Sequence, residues 1–133
     1  MGRYYIGDIE GKFWFSVQNS DDADNFGVYG ENDIDENGEE TGYLNYYFEK
    51  SNIPDIQNGI NECLEFLGQN KQKFDGFFDK HESYNDQMIV DELGIPKNNV
   101  RELLEHYARL HFGKQILECV EEKGSCRFQA NKK

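Results

Sequence analysis

The period of apolar and polar positions along the 133-residue chain changes near residue 50. Before that point it is two. In Lys12-Phe13-Trp14-Phe15-Ser16-Val17-Gln18, Phe13, Phe15 and Val17 fall on one face and Lys12, Trp14, Ser16 and Gln18 on the other, the pattern of a half-buried strand. Tyr4-Tyr5-Ile6 precedes it, and the turn-forming residues of Gly7-Asp8-Ile9-Glu10-Gly11 lie between, so a hairpin is predicted. After a polar loop from Asn19 to Asn25, Gly27-Val28-Tyr29 and Tyr43-Leu44-Asn45-Tyr46-Tyr47-Phe48 predict a second hairpin closed by the acidic stretch Glu31 to Gly42.

From residue 51 the period lengthens to that of a helix. Ser51 or Asn52 supplies a cap and Pro54 suits a first turn, after which Ile53, Ile56, Ile60, Cys63, Leu64 and Leu67 recur at intervals of three and four. The stripe continues through Phe74 and Phe78 in phase, which predicts one helix of about 27 residues over 53–80, with a break at Gly68 as the alternative. A short helix over 84–93 and a long one over 97–122 follow, the latter turning Val100, Leu103, Leu104, Tyr107, Leu117 and Val120 inward. Alternation returns in Ser125-Cys126-Arg127-Phe128-Gln129-Ala130, which predicts an added edge strand. The fold class expected is α+β: a small antiparallel, aromatic-rich sheet of two N-terminal hairpins and a C-terminal edge strand, packed against two long helices and one short one. Residues 1–133 are read as a single domain in which 1–50 are β-rich and acidic, 51–124 are helical and 125–133 form a strand and tail.

Charge adds what periodicity does not. The chain carries 26 acids against 14 bases, a net charge of −12, and residues 1–80 hold 17 of the acids with 6 bases. Binding driven by neutralising phosphates needs a basic face, and an anionic membrane surface would repel such a chain. Nineteen aromatics and two prolines argue for a folded core in spite of a mean hydropathy of −0.87. No apolar run of membrane-spanning length occurs and the N-terminus lacks the apolar core of a signal peptide. Met1-Gly2 opens a myristoylation pattern, but Ile6 stands where Ser or Thr is needed. Three cysteines, Cys63, Cys119 and Cys126, without a Cys-x-x-Cys pair, fit a reducing intracellular compartment.

Two local motifs carry candidate chemistry. Ile89, Val90, Leu93-Gly94-Ile95, Val100 and Leu103 reproduce the apolar and glycine spacing of a helix-turn-helix over residues 86–109. In that reading Lys97, Asn98, Asn99, Arg101 and Arg109, with Gln115, face a nucleic acid, and Asn and Arg reach base edges. Plain packing of two helices around a tight turn needs the same apolar positions, and Glu102 and Glu105 flank Arg101. The second motif, Asp33-x-Asp35-x-Asn37-Gly38, matches the first half of a calcium loop, but Leu44 stands where a bidentate Glu is required, so a solvated hairpin loop is expected and no metal is assigned.

His106 and His111 are five residues apart and do not form a helical metal pair, and His81 has no ligand partner nearby in sequence. The chain holds no Gly-x-Ser-x-Gly, phosphate-cradling glycine loop or His-Glu-x-x-His, so neither catalysis nor a cofactor is expected. What remains is a docking chemistry. Phe13, Phe15, Leu44, Tyr46 and Phe48 are assigned to the core, and Trp14, Tyr43 and Tyr47 to the opposite sheet face. With Asp21, Asp22 and Asp24 at the rim, these aromatics form a patch suited to a basic protein partner. The alternatives kept open are nucleic-acid reading by residues 86–109, mimicry of nucleic acid by the acidic face, and homodimerisation through the long helices.

The segments Tyr4-Tyr5-Ile6-Gly7-Asp8-Ile9-Glu10-Gly11-Lys12-Phe13-Trp14-Phe15, Ser20-Asp21-Asp22-Ala23-Asp24, Leu44-Asn45-Tyr46-Tyr47-Phe48 and Tyr107-Ala108-Arg109-Leu110 resemble small acidic proteins of large DNA viruses of algae and protists and of marine viral sequences. The resemblance implies a viral origin and a host cytoplasm, host nucleus or virion as the setting. It brings no activity and no site residue.

Overall fold

A computed structural model describes residues 3–14 and 17–132 and has the α+β architecture. In chain order come β1 (Tyr4–Gly7), β2 (Gly11–Lys12), a 3₁₀ turn (Asp22–Phe26), β3 (Glu31–Ile34), β4 (Glu40–Glu49), a short 3₁₀ turn (Lys50–Asn52), α1 (Ile53–Leu67), α2 (Asn70–Lys80), α3 (Asp86–Leu93), α4 (Lys97–Lys123) and β5 (Ser125–Asn131). The five strands form one antiparallel sheet in the order β2-β1-β5-β4-β3. Among the described residues no helix is long and apolar enough to cross a membrane.

The inner sheet face follows from alternation. Tyr46 and Phe48 of β4 and Cys126, Phe128 and Ala130 of β5 are buried, and Tyr46, Phe48 and Phe128 stack with interplanar angles of 10–19°. Over them lie α1 and α4. Ile56, Ile60, Cys63 and Leu67 of α1 are buried, as are Val100, Leu103, Leu104, Tyr107 and Val120 of α4, each set recurring every three or four residues.

Four expectations are corrected. The stripe over 53–80 is two helices, because Gly68 takes φ +53° and its N–H closes α1 onto the Leu64 carbonyl before α2 begins. The C-terminal strand is central and not an edge: β5 pairs with β1 on one side and β4 on the other. The strand expected over residues 12–18 ends at Lys12, since the Val17 and Gln18 N–H groups both donate back to the Trp14 carbonyl and turn the chain. Phe15 and Ser16 lie outside the described residues, while Phe13 is buried. Finally, the second hairpin uses Glu31–Ile34 in place of Gly27–Tyr29, so its strands extend into the acidic stretch and its turn shrinks.

The polar loop Asn19–Asn25 conceals a core element. Its 3₁₀ turn buries Asp22, Ala23 and Phe26. The Phe26 ring lies where α1 and α4 carry glycine: a Cβ on Gly59 would come within 2.6 Å of the ring, and one on Gly113 within 2.5 Å. Nothing lies within 4 Å of a Cβ placed on Gly76 in α2. We expect Gly113→Ala to lose about 1–3 kcal/mol by overpacking and Gly76→Ala to gain about 0.5–1 kcal/mol by helix propensity, a contrast in sign that thermal or denaturant unfolding reads directly.

Candidate docking face of the sheet

Helices cover one face of the sheet, and the strand registers define what the other face presents. Successive residues of a strand point to opposite sides, so Tyr5, Tyr46 and Phe128 turn inward while Tyr4, Ile6, Tyr43, Asn45, Tyr47, Arg127 and Gln129 turn outward. One outer row runs across four strands as Ile6, Gln129, Asn45 and Glu31, each opposite the next. In the adjacent row Arg127 lies opposite Tyr47 and carries its guanidinium over that ring, 4.7 Å from the centroid. Arg127 is held by its backbone as well: its N–H donates to Asp8 Oδ2 at 3.0 Å and its carbonyl accepts the Asp8 N–H at 2.8 Å.

These rows enclose a groove of about 990 Å³ whose floor includes Asn45, Tyr47, Arg127 and Gln129. Ile6 and Asp8 stand on one side, Tyr29 and Glu31 on the other. Three of the bordering apolar side chains are well exposed, Tyr29 at 76%, Ile6 at 56% and Tyr47 at 42%. The polar groups of the floor are already paired: Gln129 Nε2 donates to Asn45 Oδ1 at 2.8 Å, and Asn45 Nδ2 donates to Asp33 Oδ1 at 2.9 Å. The Thr41 hydroxyl donates to the other Asp33 oxygen, and the bonds from Asn45 and Thr41 hold that carboxyl below its ordinary pKa.

Of the aromatics assigned to an outer patch, Tyr43 and Tyr47 are there and Trp14 is not. Trp14 packs on the helical side, edge-on to Phe78 at 5.4 Å and to Tyr107 at 6.0 Å, with Tyr84 at 6.1 Å, because the chain turns at residue 14 instead of continuing as a strand. Residues that sequence reasoning left out, Tyr4, Ile6, Tyr29 and Arg127, complete the face. Their signal was present in the alternation of Tyr4-Tyr5-Ile6 and Cys126-Arg127-Phe128, but the side that each parity faced was not legible.

The acidic trio also divides. Asp21 is exposed, whereas Asp24 accepts from the Tyr46 hydroxyl at 2.7 Å and the Gly30 N–H at 2.9 Å. Burial, and then the bond to Asp24, raises the Tyr46 phenol well above its ordinary pKa. Asp22 is internal: Oδ1 receives Arg109 Nε at 2.7 Å and Oδ2 receives Gln18 Nε2 at 2.9 Å. Desolvation pushes the Asp22 carboxyl upward and outweighs the opposing pull of Arg109. Both residues are thereby withdrawn from the roles expected of them, Asp22 at a rim and Arg109 on a nucleic acid.

The remaining candidates are dispersed. Lys97, Asn98 and Asn99 are exposed at the start of α4, after a turn at Gly94 with φ +68°, and Arg101 reaches Glu105 at 3.4 Å. A cleft of about 920 Å³ brings Trp14 and Tyr84 together with Lys12, Asp86 and Lys97, at the helical side. In the β3–β4 turn, Asp35 Oδ1 accepts the N–H groups of Asn37 and Glu39 at 2.9 and 3.0 Å, so the motif that resembles a calcium loop closes a hairpin. Among the described residues no three His, Cys, Asp or Glu side chains gather as a metal site. His81 contacts Glu92 at 2.7 Å and His106 stacks on Phe66 at 3.8 Å. The three cysteines are free and buried, and burial lifts the Cys63 thiol to about 11.

A buried pair broken on one side leaves an uncompensated charge or an unpaired polar group. Asp22→Asn and Arg109→Met should therefore each cost about 3 kcal/mol, while the double variant loses well below the sum; a double-mutant cycle in urea measures the coupling. Neither a family model, nor a curated protein, nor a solved structure matches the chain.

Proposed function

We propose that the protein is a non-catalytic interaction module that docks a basic protein partner on the outer face of its sheet. The observation that carries this reading is the presence on that face of exposed Tyr4, Ile6, Tyr29 and Tyr47 together with Glu31, beside the strip 31–49, which bears seven carboxylates and neither lysine nor arginine. Contiguous exposed apolar surface rimmed by charge marks contact sites, and tyrosine is enriched among the residues that dominate binding energy. The carboxylates speed and orient the approach of a cationic surface, and salt weakens that effect. The viral resemblance implies that the partner is met in a host compartment or in the virion.

Nucleic-acid reading by the α3–α4 unit is the weaker alternative. With Arg109 committed to Asp22, the exposed chemistry left at the start of α4 is Lys97, two asparagines and Arg101, the last 3.4 Å from Glu105, set among Asp86, Glu102 and Glu105. Dimerisation through the long helices is supported less still, because most of their apolar stripes is buried inside the fold and, of α1, Leu64 and Phe66 alone among the large apolar side chains are exposed.

The test is an NMR titration with cationic peptides of Lys, Leu and Ala and, separately, with duplex DNA. Peptide binding should move the amides of Asn45, Tyr47, Arg127 and Gln129, weaken about tenfold or more between 50 and 500 mM salt, and weaken tenfold or more in a Tyr29→Ser/Tyr47→Ser variant of unchanged fold. Shifts confined to residues 97–101 on addition of DNA, abolished by Arg101→Ala, would sink the proposal in favour of the alternative.

A further inference from the structure

We infer that the partner element received by the groove is a basic amphipathic α-helix, which would lie as a third layer on the sheet; this rests on the docking reading above and specifies its occupant. Width comes first. The groove crosses the sheet from Ile6 and Asp8 on the β1 side to Tyr29 and Glu31 on the β3 side, three interstrand steps. At about 4.8 Å per step that is roughly 14 Å, close to the 10–12 Å diameter of a helix with its side chains. An extended segment lying on the face is too narrow to touch both walls.

Hydrogen bonding points the same way. The Asn45 and Gln129 amides on the floor are bonded to each other, and Asn45 also to Asp33, so the floor offers few free groups to a ligand backbone. An extended peptide laid face-down would leave its own N–H and C=O groups unpaired, whereas a helix satisfies its backbone internally. Strand addition belongs at an edge, and both edges are poor templates: β2 is two residues long, and β3 is four residues long with a register irregularity between Asn32 and Ile34.

Charge then fixes the flanks of that helix. Its apolar stripe meets Ile6, Tyr29 and Tyr47, and the carboxylates on the two sides, Glu31 and Asp8, the latter 4.0 Å from Lys123, call for lysine or arginine flanking the stripe. Arg127, the base on the floor, lies against the Tyr47 ring. A second copy of the chain is disfavoured as occupant, because it would bring a charge of −12 to the same acidic border.

Two eighteen-residue peptides of one Lys/Leu/Ala composition decide the matter, one ordered with a period of 3.6 and the other with a period of two. The helical order should bind at least tenfold more tightly and gain helical circular dichroism on binding, with the gain lost in the Tyr29→Ser/Tyr47→Ser variant. Equal or tighter binding of the period-two peptide would overturn the helical occupant and leave the docking reading standing. Binding of neither peptide, or undiminished binding to the variant at unchanged Tm, would overturn both. A homodimer in sedimentation whose formation protects Tyr47 would assign the groove to a second copy instead.

Discussion

Phe26 leaves a polar loop and ends with its ring between two helices at the positions where each carries glycine, Gly59 of α1 and Gly113 of α4. A methyl group at either glycine would occupy space that the ring already fills. The helices thus pack through a side chain supplied by the β-rich half of the chain. Four residues earlier, Asp22 ties the same turn to α4 through Arg109. Together the ring and the ion pair hold the turn against both long helices, and those helices hold Tyr46, Phe48 and Phe128 from above. With the inner face so filled, the outer face is the one the helices leave uncovered.

Charge is consequently used in two ways. Asp22 and Asp24 tie the 3₁₀ turn to α4 and β4, and Asp33 ties β3 to β4 through Asn45 and Thr41. Asp8 and Glu31 stand at the border of the outer groove. A net charge of −12 does not distinguish the two groups, and their hydrogen bonds to side chains of neighbouring elements do.

Much of this architecture could be read from the sequence, because period two before residue 50 and period 3.6 after it report which residues share a face. The inward sides of β4, α1 and α4 follow from spacing alone: Leu44, Tyr46 and Phe48; Ile56, Ile60 and Leu67; Val100, Leu104 and Tyr107. What spacing could not supply was pairing between distant segments. Ser125–Asn131 read as a strand, but its place between β1 and β4 depends on registers some 80 and 120 residues away in the chain. Trp14 shows a different limit, since alternation through residues 12–18 mimicked a strand where backbone bonds to the Trp14 carbonyl make a turn. Asp22 and Phe26 were hidden by polar neighbours, and nothing in the helical spacing marks Gly59 and Gly113 as the two positions that make room for the Phe26 ring. The outer face was half legible: Tyr43 and Tyr47 by parity, but Ile6, Tyr29 and Arg127 only once the strand order was known.

The central place of β5 has a consequence for how the protein is made. A chain leaves the ribosome N-terminus first, and β1 and β4 have no bond to each other until Ser125–Asn131 arrives between them. At roughly 5–20 residues per second, the stretch from Glu49 to Asn131 takes on the order of 4–16 s to synthesise. Throughout that wait the aromatic strand β4 has an open edge, which invites pairing with other nascent chains. The carboxylates of residues 31–49 lie at the ends of that strand and beside it, and like charges so placed oppose such pairing.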